Sequence, residues 1–595
     1  MPKNKTTASK PENPQLAIET LTSKPKLYFN LFWHMHQPDY RNIVTNQYVL
    51  PWTYLHAIKD YTDMAYHLEA NPKAKASFNF VPVLLDQLED YTAQFKSQDM
   101  RDPLLALLVN EHLESITAED CQLIVDSCFK SHHEKMLSPF PHYQRLLRIF
   151  EAAQVATDDA DLHYVSAQYK ADLLVWYHLA WTGESVRLHE PLVQNLMAKG
   201  RKFTFEDRKQ LFDLIGQLIT NLIPRYKALQ DNKQIEISTT PHYHPILPLL
   251  LDFKSTKDAM PFAPLPLNAE YPDGRPRAIA HIQSAQKSHQ KRFGVLPKGM
   301  WPAEGAVSHS ALSLMAEYGV TWAATGQGVL ANSLNKSALP NANPHDYLYQ
   351  PYTITDGNRD ILCFFRDDHL SDKIGFEYAK MHSSEAVNDF MNTLTHIQQA
   401  NETDQNRVVS VILDGENAWE YYPYNGYYFL SELYAALANH PDIEMTTFNE
   451  VVECIKNPAT ASIPAPVLPQ IAAGSWVYGT FSTWIGSAEK NNGWDLLCEA
   501  KKAYDKTILA GALDAKQREA CEQQLAICEG SDWFWWFGDY NSSVSVNSFD
   551  KLYRLNLMNL YVLLKLPVPD ILNQSISAGG GNPDAGGTMR RGSES

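Results

Sequence analysis

Residues 27–38 read LYFNLFWHMHQP, and this stretch decides how the chain begins to fold. Residues 27–33 are rich in β-prone and aromatic side chains, which predicts a buried strand. Polar residues follow at once, with His34, His36 and Gln37 just beyond the apolar run. In parallel α/β proteins the reactive side chains lie where strands end, so we expect chemistry at this end of the strand.

Further along the chain, apolar strand-like runs alternate with longer helix-compatible segments. These runs cover residues 76–80, 235–239, 320–325, 361–365 and 408–413. Strands separated by helices pair in parallel, which is typical of a barrel or a doubly wound sheet. The sequence therefore predicts an α/β fold.

The domain organisation follows from shifts in composition along the chain. Helical apolar spacing from about 85 to 230 predicts a helical insertion, and the Pro-rich stretch 457–471 predicts a linker. We therefore expect the following parts: a disordered tail at 1–26, a catalytic domain at 27–456, a helical second domain at 472–572 that is rich in Trp, and a disordered Gly/Ser-rich tail at 573–595.

The composition restricts the class of ligand. The chain has 595 residues, of which 44% are apolar, and a net charge of −17. This charge repels phosphate backbones and anionic lipid, so we expect neither a nucleic acid nor a membrane partner. Seven thinly spread cysteines indicate reduced thiols. The beginning of the sequence lacks the apolar core of a secretion signal, so we expect a cytoplasmic location. The sequence does not indicate an oligomeric state.

Two segments offer carboxylates after strands or turns. In the first, the strand-like run 408–413 leads directly into Asp414 and Glu416. In the second, Glu304 lies in a WPAEG segment beside Trp301. Glycoside hydrolysis needs two such groups from different segments, one to attack the sugar or activate water and one to protonate the leaving oxygen. Turn chemistry at Asp414 and helix N-terminal charge at Glu304 are the structural alternatives. Residue pattern alone leaves Asp414 and Glu416 equally plausible.

Two His-x-His pairs permit a competing interpretation. His34 and His36 form one pair, and His242 and His244 form the other. Imidazoles two residues apart on a strand face the same way and can hold zinc. They can equally bind sugar hydroxyls or form structural hydrogen bonds, and the sequence leaves these three roles open.

Aromatic residues cluster in the second domain. The residues are Trp476, Trp484, Trp494 and the run DWFWWFGD at 532–539, which includes Trp533 and Trp536. Core packing explains at least half of these rings, and the others can form flat platforms for sugar faces.

Together these motifs resemble glycoside hydrolase family 57, in particular its amylase and amylopullulanase-like branch. The motifs occur in the family's order: HMHQPDYR at 34–41, TTPHYHPILPLL at 239–250, GMWPAEGAVS at 299–308, FFRDDHLSDKIGF at 364–376 and LDGENAWEYYPYNG at 413–426. The resemblance covers roughly residues 27–570. It implies an incomplete (β/α)7 TIM-like barrel with a helical C-terminal domain that completes the cleft.

The resemblance also implies roles for individual residues. Glu304 matches the family's nucleophile and Asp414 its acid/base, which resolves the choice between Asp414 and Glu416. The expected substrate-binding residues are His34, His36, Gln37, His242, His244, Trp301, Asp367, Trp419, Trp484, Trp533 and Trp536. Family members of this type use no metal in their chemistry, so we expect neither a metal nor a cofactor. Retaining catalysis requires the two carboxyl groups to lie about 5–5.5 Å apart.

The predicted function is retaining hydrolysis of an α-glucan or maltooligosaccharide. Three alternatives remain: transglycosylation by the same carboxylates, as in a branching enzyme or 4-α-glucanotransferase; a zinc-dependent hydrolase built on the His pairs; and a glucan-binding protein without turnover. The sequence distinguishes neither α-1,4 from α-1,6 specificity nor hydrolysis from transfer.

Overall fold

The computed structural model of the protein describes residues 25–155, 165–401, 405–457 and 463–581. Most of the two predicted tails lies outside these ranges. The strands within them are β1 (Leu27–Met35), β2 (Arg41–Asn42), β3 (Gln47–Tyr48), β4 (Ala76–Phe80), β5 (Ile235–Thr239), β6 (Trp322–Thr325), β7 (Tyr352–Thr355), β8 (Asp360–Phe365), β9 (Arg407–Asp414) and β10 (Ile443–Thr446).

The strands build an incomplete parallel barrel around β1. Strand β1 pairs in parallel with β4, β9 and β10, and β4 pairs in parallel with β5. Parallel bridges from Thr239 to Met300 and from Gly299 to Trp322 continue the barrel from β5 to β6. Strand β6 pairs in parallel with β8, and β7 forms an antiparallel edge. The predicted α/β fold with an incomplete TIM-like barrel is confirmed.

A large helical insertion separates β4 from β5, over the region that the apolar spacing predicted. Its helices are α3 (Pro82–Ser97), α4 (Pro103–Leu108), α5 (Ala118–Ser127), α6 (Pro141–Val155), α7 (Ala167–Ala180), α8 (Glu184–His189), α9 (Pro191–Lys199) and α10 (Phe205–Asp231). Helix α10 begins with a capping box, in which Thr204 and Asp207 satisfy each other's backbone N–H groups. Between β3 and β4 lie α1 (Trp52–His56) and α2 (Thr62–Ala70), which are joined by a π-turn at Ala57–Tyr61.

Further helices surround the barrel and form the C-terminal region. Those of the barrel are α11 (Leu247–Leu251), α12 (Gly274–Phe293), α13 (His309–Glu317), α14 (Gln327–Lys336), α15 (Pro344–Tyr347), α16 (Asp368–Asp372), α17 (Ser383–Gln399), α18 (Tyr427–Ala438) and α19 (Phe448–Lys456). Those of the C-terminal region are α20 (Ala488–Ala510), α21 (Ala515–Cys528), α22 (Asp532–Trp536) and α23 (Ser543–Leu563). No helix in the described part of the chain is both long and apolar enough to cross a membrane.

Aromatic side chains fill the interior of the barrel. Phe32 packs against Trp301 and Phe448, and the ring centroids of Trp322 and Phe448 lie 4.7 Å apart. These rings are fully buried and form a core cluster of their own. Because the interior is packed, the open end of the barrel is the place where polar strand ends can meet a ligand.

The C-terminal region packs closely on the barrel. The segment predicted as a linker partly pairs with β7, since the N–H of Thr353 donates to the carbonyl of Pro466 and the N–H of Leu468 donates to the carbonyl of Thr353. At a second contact the buried carboxylate of Glu529 bonds Arg277 and His281 of α12. The C-terminal region is therefore held against the barrel by backbone pairing and by a buried ion cluster.

Candidate active site

The carboxyl ends of β1 and β9 bring the first polar residues together. In the parallel register His34 lies opposite Asp414 on β9, and opposite Asn79 on β4. The N–H of Gly415 donates to the carbonyl of His34 over 2.7 Å. A Cβ atom at position 415 would collide with the end of the Met35 side chain, so a larger residue directly after Asp414 would have to displace that side chain. Pairing and turn geometry thus fix Asp414 beside the first His-x-His pair.

A cleft of about 1030 Å³ opens at this end of the barrel. Its wall includes residues from the barrel, the helical insertion and the C-terminal region. The lining residues include His34, His36, Gln37, Trp52, His56, Trp181, Glu304, Asp414, Glu416, Asn417, Asp532, Trp535 and Trp536. A cleft of this volume is at the upper end of the usual range for ligand sites. Carboxylates, imidazoles and indoles meet in it.

Asp414 is held in a form that can carry a proton near neutral pH. Burial raises the pKa of Asp414 to about 6, and the effect is partly offset by the amide of Asn417 and by the charges of His36 and Arg366. The Asn417 amide donates to Asp414 over 2.8 Å. A carboxyl group with a pKa near the working pH suits general acid/base catalysis.

Glu304 projects from a strained backbone position. It lies in a short 3₁₀ turn at Ala303–Gly305 with φ 59° and ψ 24°, in the left-handed region that a residue with a side chain seldom adopts. The indole N–H of Trp476 donates to the Glu304 carboxylate over 3.0 Å, and the backbone N–H of Trp476 donates to the Glu304 carbonyl. Such strain is often found at functional sites. The C-terminal region therefore fixes the carboxylate of Glu304.

Three imidazoles form a continuous cluster at the base of the cleft. His34 bonds Asn79 over 2.7 Å through Nδ1 and His244 over 3.2 Å through Nε2. His36 bonds Asp532 over 2.7 Å, and its ring stacks on that of His244 at 3.8 Å between centroids. Burial and the charge of His36 lower the pKa of His34 to about 3, and burial lowers that of His244 well below its ordinary value. His244 Nδ1 bonds Ser531, so the ring nitrogens of His34 and His244 are all engaged within the protein, and Nδ1 of His36 is the imidazole atom of this cluster that remains without a partner among the described residues for a sugar hydroxyl to bond.

The family model for glycosyl hydrolase family 57 matches residues 30–466. This range contains Glu304, Asp414 and all four histidines of the two pairs. The chain belongs to glycosyl hydrolase family 57. The resemblance read from the motifs is confirmed. The sequence has no significant match among curated proteins.

Solved structures of family 57 enzymes share this fold. A branching enzyme from Thermococcus kodakaraensis is 14% identical with a TM-score of 0.54, and the match covers 90% of each chain. A branching enzyme from Pyrococcus horikoshii is 14% identical with a TM-score of 0.53, over 92% of this chain and 96% of that chain. An α-amylase from Thermotoga maritima is 15% identical with a TM-score of 0.51, again over 92% and 96%. At these identities the likeness establishes the fold alone.

Only some of the predicted substrate-binding residues line the cleft. His34, His36, Gln37 and Trp536 do so. His244 lies behind them in the imidazole cluster. His242 faces away from the cleft and bonds Asp86 and Ser284. The second pair does not share a face because β5 ends at Thr239, and a turn gives His244 a φ of 60°.

The other predicted substrate-binding residues do not line the cleft and instead make packing or structural contacts. Trp301 packs in the barrel interior against Phe32. Asp367 caps α16, where it accepts the N–H of Leu370. Three further indoles are buried in the core, namely Trp419, Trp484 and Trp533. These positions match the packing alternative for the tryptophans.

Sequence reasoning missed residues that reach the site from distant parts of the chain. Trp476 bonds Glu304, and Asp532 bonds His36. Trp52 and Trp181 line the cleft from α1 and from the end of α7, with ring centroids 5.7 Å apart. Trp476 and Asp532 lie in segments whose Trp content is a visible signal, but nothing in the sequence indicates which barrel residue each one contacts.

One trio in the cleft has metal-ligand chemistry. Ligand atoms of His36, His244 and Asp532 lie within 4.8 Å of one another. However, the rings of His36 and His244 stack face to face with an angle of 24° between their planes. Ring nitrogens bind metals through lone pairs in the ring plane, so lone pairs on stacked rings run nearly parallel and do not converge on one ion. This geometry suits hydrogen bonding to hydroxyls better than metal ligation.

Proposed function

We propose that the protein is a retaining enzyme acting on α-glucans, with Glu304 as nucleophile and Asp414 as general acid/base. The observation that carries this proposal is that both side chains line one cleft, where Asp414 has its pKa raised to about 6 and Glu304 is held by the Trp476 indole. One group is thus suited to donate a proton and the other to attack. Membership of family 57 supports the same pairing.

In the first step the Glu304 carboxylate attacks the anomeric carbon. The glycosidic C–O bond breaks as protonated Asp414 transfers its proton to the leaving oxygen, and a glycosyl ester forms on Glu304. The N–H of Trp476 bonds Oε2 of Glu304 and orients the attacking carboxylate. The backbone N–H of Trp476, which donates to the Glu304 carbonyl, helps to hold this residue in its left-handed conformation.

In the second step Asp414, now ionised, removes a proton from an incoming hydroxyl. The resulting oxygen attacks the anomeric carbon, the ester bond to Glu304 breaks, and the configuration at that carbon is retained overall. Water as the acceptor gives hydrolysis, whereas a sugar hydroxyl gives transfer. We propose hydrolysis of α-amylase type as the main reaction. Transfer uses the same two groups and is separated from hydrolysis by its products.

The lining of the cleft is suited to binding a neutral, extended substrate. Its walls combine indoles from three parts of the chain, including Trp52, Trp181 and Trp535, with imidazoles. Aromatic faces contact the C–H faces of sugars, and imidazoles bond their hydroxyls. The net charge of −17 disfavours an anionic substrate. The related structures from T. kodakaraensis and T. maritima are described as a branching enzyme and an α-amylase, which supports an α-glucan as substrate.

The test compares Glu304→Gln with Glu317→Gln, an exposed glutamate on α13, using purified protein and maltooligosaccharides. We expect the first variant to lose turnover by about 10³-fold or more with its fold intact, and the second to match the parent. NMR of the first-formed product should show the α-anomer. Near-parental turnover by Glu304→Gln, or a β-anomeric product, would contradict the assignment.

Product analysis separates the remaining alternatives. Reducing ends that accumulate on amylose or pullulan indicate hydrolysis, whereas branch points or lengthened oligosaccharides indicate transfer. Loss of activity with chelators, restored by stoichiometric zinc, would instead support a metal hydrolase. Starch binding without any product would support a binding protein.

A further inference from the structure

Glu416 is a buried acid in the cleft that the mechanism above does not use. It is 3% exposed and lines the cleft beside Asp414 and His36. Its Oε1 atom accepts the backbone N–H of His36 over 3.2 Å and the side-chain amide of Gln37 over 3.3 Å. Its Oε2 atom is buried and has no hydrogen-bond partner among the described residues. One oxygen of this carboxyl group is therefore satisfied by the protein, and the other has no hydrogen-bond partner among the described residues.

The charged side chains that face Glu416 are acidic. Asp414 adjoins it on the same loop, and Asp60 faces it from the π-turn between α1 and α2. The hydroxyl of Tyr61 lies close enough to interact directly with the Glu416 carboxyl group, and the hydroxyl of Tyr40 also faces it. The Nζ atom of Lys59 forms an ion pair with Oδ1 of Asp60 over 2.6 Å, and His56 bonds the other oxygen of Asp60. An ionised Glu416 would thus lie between two acids, with no ion pair to a cationic side chain in the described part of the chain.

This environment favours the neutral acid. Burial and the negative charges of Asp414 and Asp60 raise the pKa of Glu416 well above its ordinary value. The long hydrogen bonds from His36 and Gln37 oppose that shift only weakly. A carboxylic acid kept neutral at pH 7 is a hydrogen-bond donor, which a carboxylate cannot be.

We propose that Glu416 remains protonated through the catalytic cycle and that its Oε2–H group donates a hydrogen bond to a hydroxyl of the sugar bound beside Asp414. This role rests on the proposed function for its substrate, a neutral glucan. The ligand atom it contacts is a hydroxyl oxygen acting as acceptor, because the protonated Oε2 has a single hydrogen to donate. Glu416 also leaves Asp414 as the single titrating acid of the pair.

The first test is the pH profile of kcat/KM for Glu416→Gln. Gln is neutral and keeps an N–H donor, so the high-pH limb set by Asp414 should stay within about 0.3 pH units of the parent. If Glu416 were ionised in the parent, its removal would lower the pKa of Asp414 and move this limb by about one unit to lower pH. Such a shift would overturn the proposal.

The second test separates sugar binding from folding. Glu416→Leu removes the donor, and we expect KM for maltooligosaccharides to rise by about three- to tenfold, with a smaller rise for Glu416→Gln. Circular dichroism and thermal melting establish that each variant is folded. A folded Glu416→Leu protein with parental KM would overturn the hydroxyl contact.

The third test needs no substrate and so stands apart from the proposed function. Infrared difference spectra of parent and Glu416→Gln at pH 8 should contain a protonated-carboxyl C=O band that is lost in the variant. At this pH Asp102 and Asp368, with pKa values of about 6, and Glu236, with a pKa of about 7, are mostly ionised. Absence of the band overturns the neutral acid. Presence of the band without glucan turnover means that the proposed function alone has failed.

Discussion

Two regions of the molecule withdraw carboxyl groups from water and treat them in opposite ways. Between barrel and C-terminal region, Glu529 is fully buried and bonds Arg277 over 2.7 and 2.8 Å, His281 over 2.7 Å and Tyr271 over 2.6 Å. Burial alone would raise its pKa, but the charge of Arg277 and the hydrogen bonds lower the pKa well below its ordinary value.

In the cleft, Asp414 and Glu416 are also desolvated, and burial raises the pKa of both. The comparison shows that this chain fully compensates a buried charge where it holds parts of the fold together. It compensates the charge only in part where we propose that a proton is used. An uncompensated acid costs stability, whereas a compensated one contributes it. The three predictions below test this contrast.

The largest expected effect is on catalysis by Asp414→Asn. We expect kcat/KM on maltooligosaccharides to fall by about 10²–10⁴-fold, because the leaving oxygen loses its proton donor. Aryl maltosides with acidic phenols need no proton and should be cleaved in the first step with a much smaller loss. The exposed Asp356→Asn variant serves as control. In the parent, activity should decline above about pH 6, since the pKa of Asp414 is about 6 and the acid must be protonated. Equal losses on both substrates would contradict the role.

The next largest effect is on the stability of the fold and concerns Glu529, between the barrel and the C-terminal region. Glu529→Gln leaves Arg277 buried beside a neutral group and should lower the free energy of unfolding by about 3–5 kcal/mol. Because the pKa of Glu529 is depressed, its contribution is present above the ordinary glutamate pKa and is lost as pH falls, so the difference from the parent should narrow below about pH 4. Urea unfolding at pH 8 and pH 3 measures both values. The exposed Glu519→Gln on α21 should stay within about 0.5 kcal/mol.

The smallest effect has the opposite sign and comes from the same Asp414→Asn protein. The pKa of Asp414 is raised from 3.8 to about 6, so its ionisation destabilises the folded state. This destabilisation is absent below about pH 4 and fully present above about pH 7. Removing the charge should therefore stabilise the protein by about 1–3 kcal/mol at pH 8 and by little at pH 4. Thermal melts at the two pH values check this. A variant less stable than the parent at pH 8 would show that Asp414 is compensated after all.

The sequence predicted the parts of this contrast that depend on local pattern. The strand that ends at Asp414 and the strand that leads into His34 were visible as apolar runs followed by polar residues, and β9 and β1 occupy those positions. The helical insertion was visible from its periodicity. The choice between Asp414 and Glu416 was not, because both follow one strand and both line the cleft. It took the family resemblance to favour Asp414.

Contacts between distant segments could not be predicted. The bonds from Trp476 to Glu304 and from Asp532 to His36 join residues 172 and 496 positions apart. The sequence also placed His242 and His244 on one face, because side chains two residues apart point the same way in a strand. These residues lie in a turn beyond the end of β5, where that rule does not hold. Most of the C-terminal indoles serve packing, and their orientation depends on tertiary contacts that composition does not encode.

The placement of β1 has a consequence for synthesis on the ribosome. Strand β1 is synthesised before the other described strands, yet two of its partners, β9 and β10, follow about 380 and 415 residues later. Asp532, the hydrogen-bond partner of His36, is synthesised later still. Pairings so far apart in sequence form late and slowly. β4 follows soon after and can pair with one edge of β1, but the other edge of this apolar strand stays open until β9 has been made, a period in which chaperones can bind it. The cleft is complete only after the C-terminal region that carries Asp532 has emerged.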